Sequence, residues 1–181
     1  MNISFKSLTG YCLLVVATSV LWAMPVSAEL LTLPDRDKPT PITTDSVPHV
    51  QIGVDAVAEI STELLRRVSN IPGVELRDTV LSLPGARGFW LNENIRLSRP
   101  GAIIRGREFA HLHPDGSLHA SLSPEVAAMA VRAGWAVKHP WADQRPGWEG
   151  FVMIYTPLTE EELDVVYQLV ESSYNFVTGI R

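Results

Sequence analysis

From Arg105 to Leu122, apolar and polar positions alternate along two short runs. Alternation marks strands, because successive side chains leave on opposite faces. Between the runs stands His113-Pro114-Asp115-Gly116. Pro114 presets φ for the second position of a type I turn, and Gly116 suits the left-handed position that follows. The pattern predicts a hairpin with His113 opposite Ser117, Leu112 opposite Leu118, His111 opposite His119 and Ala110 opposite Ala120. One face then carries Ala110, Leu112, Leu118, Ala120 and Leu122. The other carries Phe109, His111, His113, Ser117, His119 and Ser121. Simple alternation turns Glu108 away from the imidazoles.

Elsewhere the period changes. Val54, Val57, Ile60, Leu64, Leu65 and Val68 recur at helical spacing, and Pro72-Gly73 closes that run. Val74 to Leu76, Val80 to Leu83, Phe89 to Asn92 and Arg96 to Ser98 read as short strands or extended segments. Ser123-Pro124 is a helix start, with serine as N-cap and proline at the first helical position; Gly134 ends that helix. Ala136 to His139 and Phe151 to Tyr155 read as strands around a loop rich in Pro, Trp and Gly. Thr159 to Glu162 is a capping box opening a last, long helix. Helices and strands do not alternate regularly. The expected fold is therefore a single α+β domain, a mainly antiparallel sheet with helices packed on one face.

The N-terminal part lacks such periodicity. Residues 1–28 read as a secretory signal peptide: Lys6, an apolar run from Tyr11 to Trp22, then Val26-Ser27-Ala28 before Glu29. An uncleaved anchor is the alternative, and the only membrane contact expected. Residues 29–52, punctuated by Pro34, Pro39, Pro41 and Pro48, read as a linker that is mobile or lies along the surface. The folded domain is then 53–181. These features predict export, to a periplasmic or extracellular destination.

Composition narrows the chemistry. Of 181 residues, 46% are hydrophobic and 19% charged, as in an ordinary globular domain. Cleavage at residue 28 removes Lys6 and no acid, leaving the mature chain one unit more negative than the full chain's −5. That balance argues against nucleic acid as a partner. The lone Cys12 lies in the signal segment, so the mature chain has no disulfide and no thiolate nucleophile or ligand. No Gly-x-Ser-x-Gly, phosphate loop or dinucleotide fingerprint is present. What remains is a cluster of imidazoles. A His-x-His facing a third histidine fits a divalent metal bound by His111, His113 and His119, with no carboxylate ligand in obvious reach. The same histidines with Trp135, Trp141 and Trp148 also fit a non-catalytic envelope module binding an aromatic ligand.

The pattern Arg107-Glu108-x-Ala110-His111-x-His113, then Leu118-His119, Gly134-Trp135, His139-Pro140 and Tyr155-x-Pro157, resembles the luciferase-domain family over roughly residues 105–177. That family includes the light-emitting enzyme of fungi. The resemblance implies a cofactor-free oxygenase, or another histidine acid/base enzyme, acting on a small enolic or phenolic substrate. It implies His111, His113 and His119 as catalytic residues, because imidazole titrates near neutrality and takes an enolic proton. Arg107, Glu108, His139, Trp141 and Tyr155 become candidates for substrate contact. No cofactor is favoured; a divalent metal on the three histidines is the alternative.

Overall fold

The computed structural model describes Met1 and residues 31–180, so the expected signal peptide lies, Met1 apart, outside the described residues. The order is β1 (Ile42–Thr43), β2 (Gln51–Ile52), α1 (Ala58–Ser69), β3 (Val74–Asp78), β4 (Arg87–Leu91), β5 (Glu108–Leu112), β6 (Leu118–Ser121), α2 (Pro124–Arg132), β7 (Ala136–Lys138), β8 (Phe151–Ile154) and α3 (Glu160–Thr178). Strands β3 to β8 form one antiparallel sheet in the order β3-β4-β5-β6-β8-β7, and β1 pairs with β2 apart from it. This is the α+β domain the periodicities predict. Among the described residues, no helix is long and apolar enough to cross a membrane.

The central hairpin has the register its turn residues dictate. Ala110 pairs with Ala120, His111 with His119 and Leu112 with Leu118. The His113 N–H bonds the Ser117 carbonyl at 2.8 Å, and Gly116 takes φ +84°. The apolar face of the sheet, with Phe89, Ala110, Leu118, Ala120, Val152 and Ile154, is buried in one core with Leu163, Val166, Leu169 and Val170 of α3. Helix starts follow their sequence signals: Ser123 Oγ accepts from the Val126 N–H and Thr159 Oγ1 from the Glu162 N–H.

Two local expectations fail, each for a physical reason. Val80 to Leu83 is a bent loop and not a strand, because its backbone is used by a side chain of β5 described below. Arg96 to Ser98 also forms no strand; the Ser98 and Arg99 amides instead cap the Val177 carbonyl at the end of α3. The described part of the proline-rich segment lies along the domain and is anchored to it. Trp135 Nε1 donates to the Pro34 carbonyl at 2.6 Å. The buried Arg36 side chain lies 6.0 Å from the Trp135 ring and 5.7 Å from the Tyr155 ring. Gln51 Nε2 donates to Thr156 Oγ1 at 2.7 Å. These anchors lay β1, β2 and the loop between them across the other face of the sheet.

Candidate functional site

That other face is built around a break in the strand pattern. Between β4 and β5, Phe89 pairs with Ala110 but the adjacent Trp90 pairs with Glu108. Phe109 is the extra residue of a β-bulge, and an extra residue reverses the side-chain alternation beyond it. Phe109 therefore turns into the core, 6.1 Å from the Tyr174 ring and 6.3 Å from Phe89. Glu108 turns onto the imidazole face. Both placements invert the simple alternation.

Glu108 is buried, its side chain fully inaccessible, and its carboxylate accepts from three donors: Thr79 Oγ1 at 2.7 Å, the Val80 N–H at 2.9 Å and His111 Nδ1 at 2.8 Å. Among the described residues no Lys or Arg lies within ion-pair distance of it. Gly88, paired with His111 across β4 and β5, makes room for this carboxylate. A Cβ there would stand 3.1 Å from Glu108 Cδ and 2.6 Å from Trp90 Nε1.

All five histidines of the chain are buried on this face. His111, His113 and His119 come from the hairpin, and His139 from the end of β7. His49 arrives on the N-terminal segment, 70 residues from the histidine it meets. His111 Nε2 lies 3.1 Å from His119 Nδ1, and His119 Nε2 lies 3.3 Å from His49 Nδ1. Burial holds four imidazoles below the usual histidine range, and neighbouring imidazoles push most of them further. His113 is lowered to about 4 and His139 to about 3; His49 and His119 are lowered too. These four are neutral at neutral pH.

Partners fix several tautomers. A carboxylate only accepts, so the His111 ring carries a proton on Nδ1, facing Glu108, and its neutral form has its lone pair on Nε2. Ser117 Oγ donates to Asp115 Oδ1 at 2.7 Å, so it must accept from His113 Nδ1 at 2.9 Å. His113 thus also offers an Nε2 lone pair. His139 is the reverse: its Nδ1 accepts the Trp141 N–H at 3.0 Å, so the neutral ring carries its proton on Nε2. The face combines lone pairs from the hairpin with a fixed N–H donor from β7.

The imidazoles line a cavity of about 200 Å³, closed by Val47, Pro48, Val50, Leu81, Leu83, Trp141 and Phe151. Of the residues singled out in the sequence, His111, His113, His119, His139 and Trp141 line it, and Glu108 stands directly behind His111. Arg107 is elsewhere. Its guanidinium is spent on the backbone carbonyls of Leu91, Asn92 and Ile95. Tyr155 packs near Arg36, and Trp135 is core. Sequence reasoning missed His49, which sits in a segment without periodicity. It also missed the rim residues Leu81 and Leu83; the one available signal was that an apolar run so short has to cover something.

Comparison with known proteins covers the stretch that carries four of the five histidines. A family model described as the luciferase domain matches residues 106–173, the span from the bulged strand to α3. The luciferases of Armillaria mellea and Armillaria ostoyae are each 31% identical over 167 residues, covering 81% of this chain and 62% of their own length. The luciferase of Neonothopanus nambi is 36% identical over 79 residues, 40% of this chain and 29% of its own. Residues 106–173 thus match the luciferase domain, and the chain is similar to the fungal luciferases over most of its length. It spans about three-fifths of the length of the Armillaria relatives. No solved structure gives a significant match.

Proposed function

We propose that this protein is an oxygenase for a small enolic or phenolic substrate, bound in the five-histidine cavity. The observation that carries the reading is the set of five buried imidazoles lining one cavity, four of them held neutral by burial, on a chain with a luciferase-domain match. A neutral imidazole nitrogen accepts the proton of an enol or phenol. The resulting anion is electron-rich at carbon and reacts with dioxygen: the substrate is oxidised, dioxygen is reduced, and a C–O bond forms. His139 Nε2–H supplies a preorganised donor for the developing oxyanion. The cavity of about 200 Å³ suits a one-ring substrate, which Trp141 and Phe151 can flank. The base needs no cofactor for this step, so none is part of the reading. Light emission is no part of it either. The signal-like residues 1–28 support an exported location.

Oxygen uptake measured against a panel of one-ring enols, phenols and catechols tests it. Uptake with at least one compound, reduced by a factor of about 100 or more in His113→Gln, is expected. Tight binding of these compounds by tryptophan fluorescence with no uptake would point instead to a binding module.

A further inference from the structure

We propose that His111 Nε2, His113 Nε2 and His119 Nδ1 form a three-imidazole site for a divalent first-row transition-metal ion, with open positions facing the cavity. One ring nitrogen from each of these residues lies within 4.8 Å of those of the other two. The 3.1 Å between His111 Nε2 and His119 Nδ1 is close to the separation of two nitrogens bound at ~2.1 Å to one ion.

Spacing alone does not choose the site, since His49, His119 and His139 also have ring nitrogens within 4.8 Å of one another. The partners of the rings decide. A metal-bound histidine donates its other N–H to an acceptor, which fixes the ring and raises its basicity. His111 donates to Glu108, and His113 donates to Ser117, itself bonded to Asp115. His119, bound through Nδ1, would donate from Nε2 to His49 Nδ1, already 3.3 Å away. Each of the three ligands has its acceptor. His139 fails the same requirement, because its Nδ1 receives the Trp141 N–H.

Charge points the same way. Glu108 is a fully buried carboxylate whose one ion-pair partner among the described residues is the His111 ring itself, with no Lys or Arg in reach. A dication one imidazole away compensates it. With three neutral ligands, the ion keeps positions free for an oxygen donor from the cavity. An enol or phenol oxygen bound there loses its proton more readily, as metal-bound water does. With the ion bound the three hairpin lone pairs are taken, so the ion replaces the free imidazole base of the oxygenase reading as the group that draws off the substrate proton; the inference rests on that reading for its substrates, but the ion's binding is measurable without any substrate.

The test is titration of the chelator-stripped, refolded full chain with Co(II), followed by its visible ligand-field band, and with Zn(II) by elemental analysis. One ion per chain is expected. His113→Gln should abolish the Co(II) band, Glu108→Gln should weaken affinity by about 10- to 100-fold, and His139→Gln should leave the band in place. Far-UV circular dichroism on every variant separates loss of the site from loss of the fold; Glu108→Gln and His139→Gln, which keep side-chain size, preserve the comparison if His113→Gln does not fold. A folded wild-type chain that binds no Co(II) or Zn(II) would overturn the site. So would a band that survives in folded His113→Gln and vanishes in His139→Gln. Oxygen uptake by a chain that binds no metal also overturns the site while leaving the oxygenase standing. Stoichiometric metal without oxygen uptake supports the site and sinks only that reading.

Discussion

Two glycine-to-alanine substitutions should change stability in opposite directions. In an open position whose φ is accessible to alanine, such as the 3-10 turn Pro100–Ala102, the exchange stabilises by roughly 0.4–1 kcal/mol, through the unfolded chain's lost freedom. Gly101 is such a position: nothing lies within 4 Å of where its Cβ would stand, and its φ is not positive. Gly88 gains the same entropy but meets a wall. Its Cβ would lie 2.6 Å from Trp90 Nε1, where ordinary contact needs roughly 3.5 Å, so the indole must withdraw by about 1 Å. Withdrawing disturbs the Arg77 guanidinium, which covers the ring at 5.4 Å. Overpacking of this kind costs about 1–3 kcal/mol. The net expectation is a loss of about 1–2 kcal/mol for Gly88→Ala against a gain for Gly101→Ala, read from urea unfolding with unchanged slope. In a Trp90→Leu background the Gly88→Ala penalty should shrink, which isolates the clash. If Gly88→Ala proves as stable as Gly101→Ala, the packing argument around Glu108 is wrong.

Acid should unfold the chelator-treated protein early. Burial keeps His113 at about 4 and His139 at about 3, against 6.5 unfolded. The unfolded chain thus takes up protons the folded chain refuses: stability is full above pH 6.5 and falls from there toward pH 4 and 3, at up to about 1.4 kcal/mol per pH unit for each histidine. His49 and His119 are lowered in the same direction and act with them, while Asp115 and Asp45 oppose the shifts of His113 and His49. An unfolding free energy that is flat between about pH 7 and 5 would contradict this. Leu118→Ala, in a residue with no exposed surface at the centre of the hairpin, should cost about 2–5 kcal/mol in the same assay. Thr156→Val removes the acceptor of Gln51 and the donor to the Asp115 carbonyl. Faster amide exchange at Val50 and Gln51, with the central strands still protected, is the expected result; uniform loosening of the whole sheet would refute it.

The hairpin was legible because its turn chemistry and two-residue period are local. Pro114 and Gly116 set the loop, and the loop set the register of His111 against His119. The same rule misplaced Glu108 and Phe109. A bulge is a property of two strands, and only Gly88, with its missing side chain, hinted from β4 that something large had to be accommodated there. His49 was illegible for a different reason. Its contacts with His119 and His139 are non-local, and nothing in a proline-punctuated run says which surface it will cover. The helices were readable from caps and period, whereas Val80 to Leu83 was misassigned because a short apolar run looks the same whether it pairs with a strand or roofs a cavity.

The bulge at Phe109 has a consequence for recognising related chains. In an unbroken strand, positions three apart face opposite ways, so a glutamate and a histidine at that spacing would never meet. Here Glu108 and His111 meet only because one residue is inserted between them. A pairing that depends on a count of one is fragile: a single-residue deletion would leave every histidine in place and point the carboxylate at the core. A relative that retains the three hairpin histidines but lacks the Glu-x-x-His interval, or carries a bulky residue at the position of Gly88, has lost the wiring of this site while still looking like it in composition.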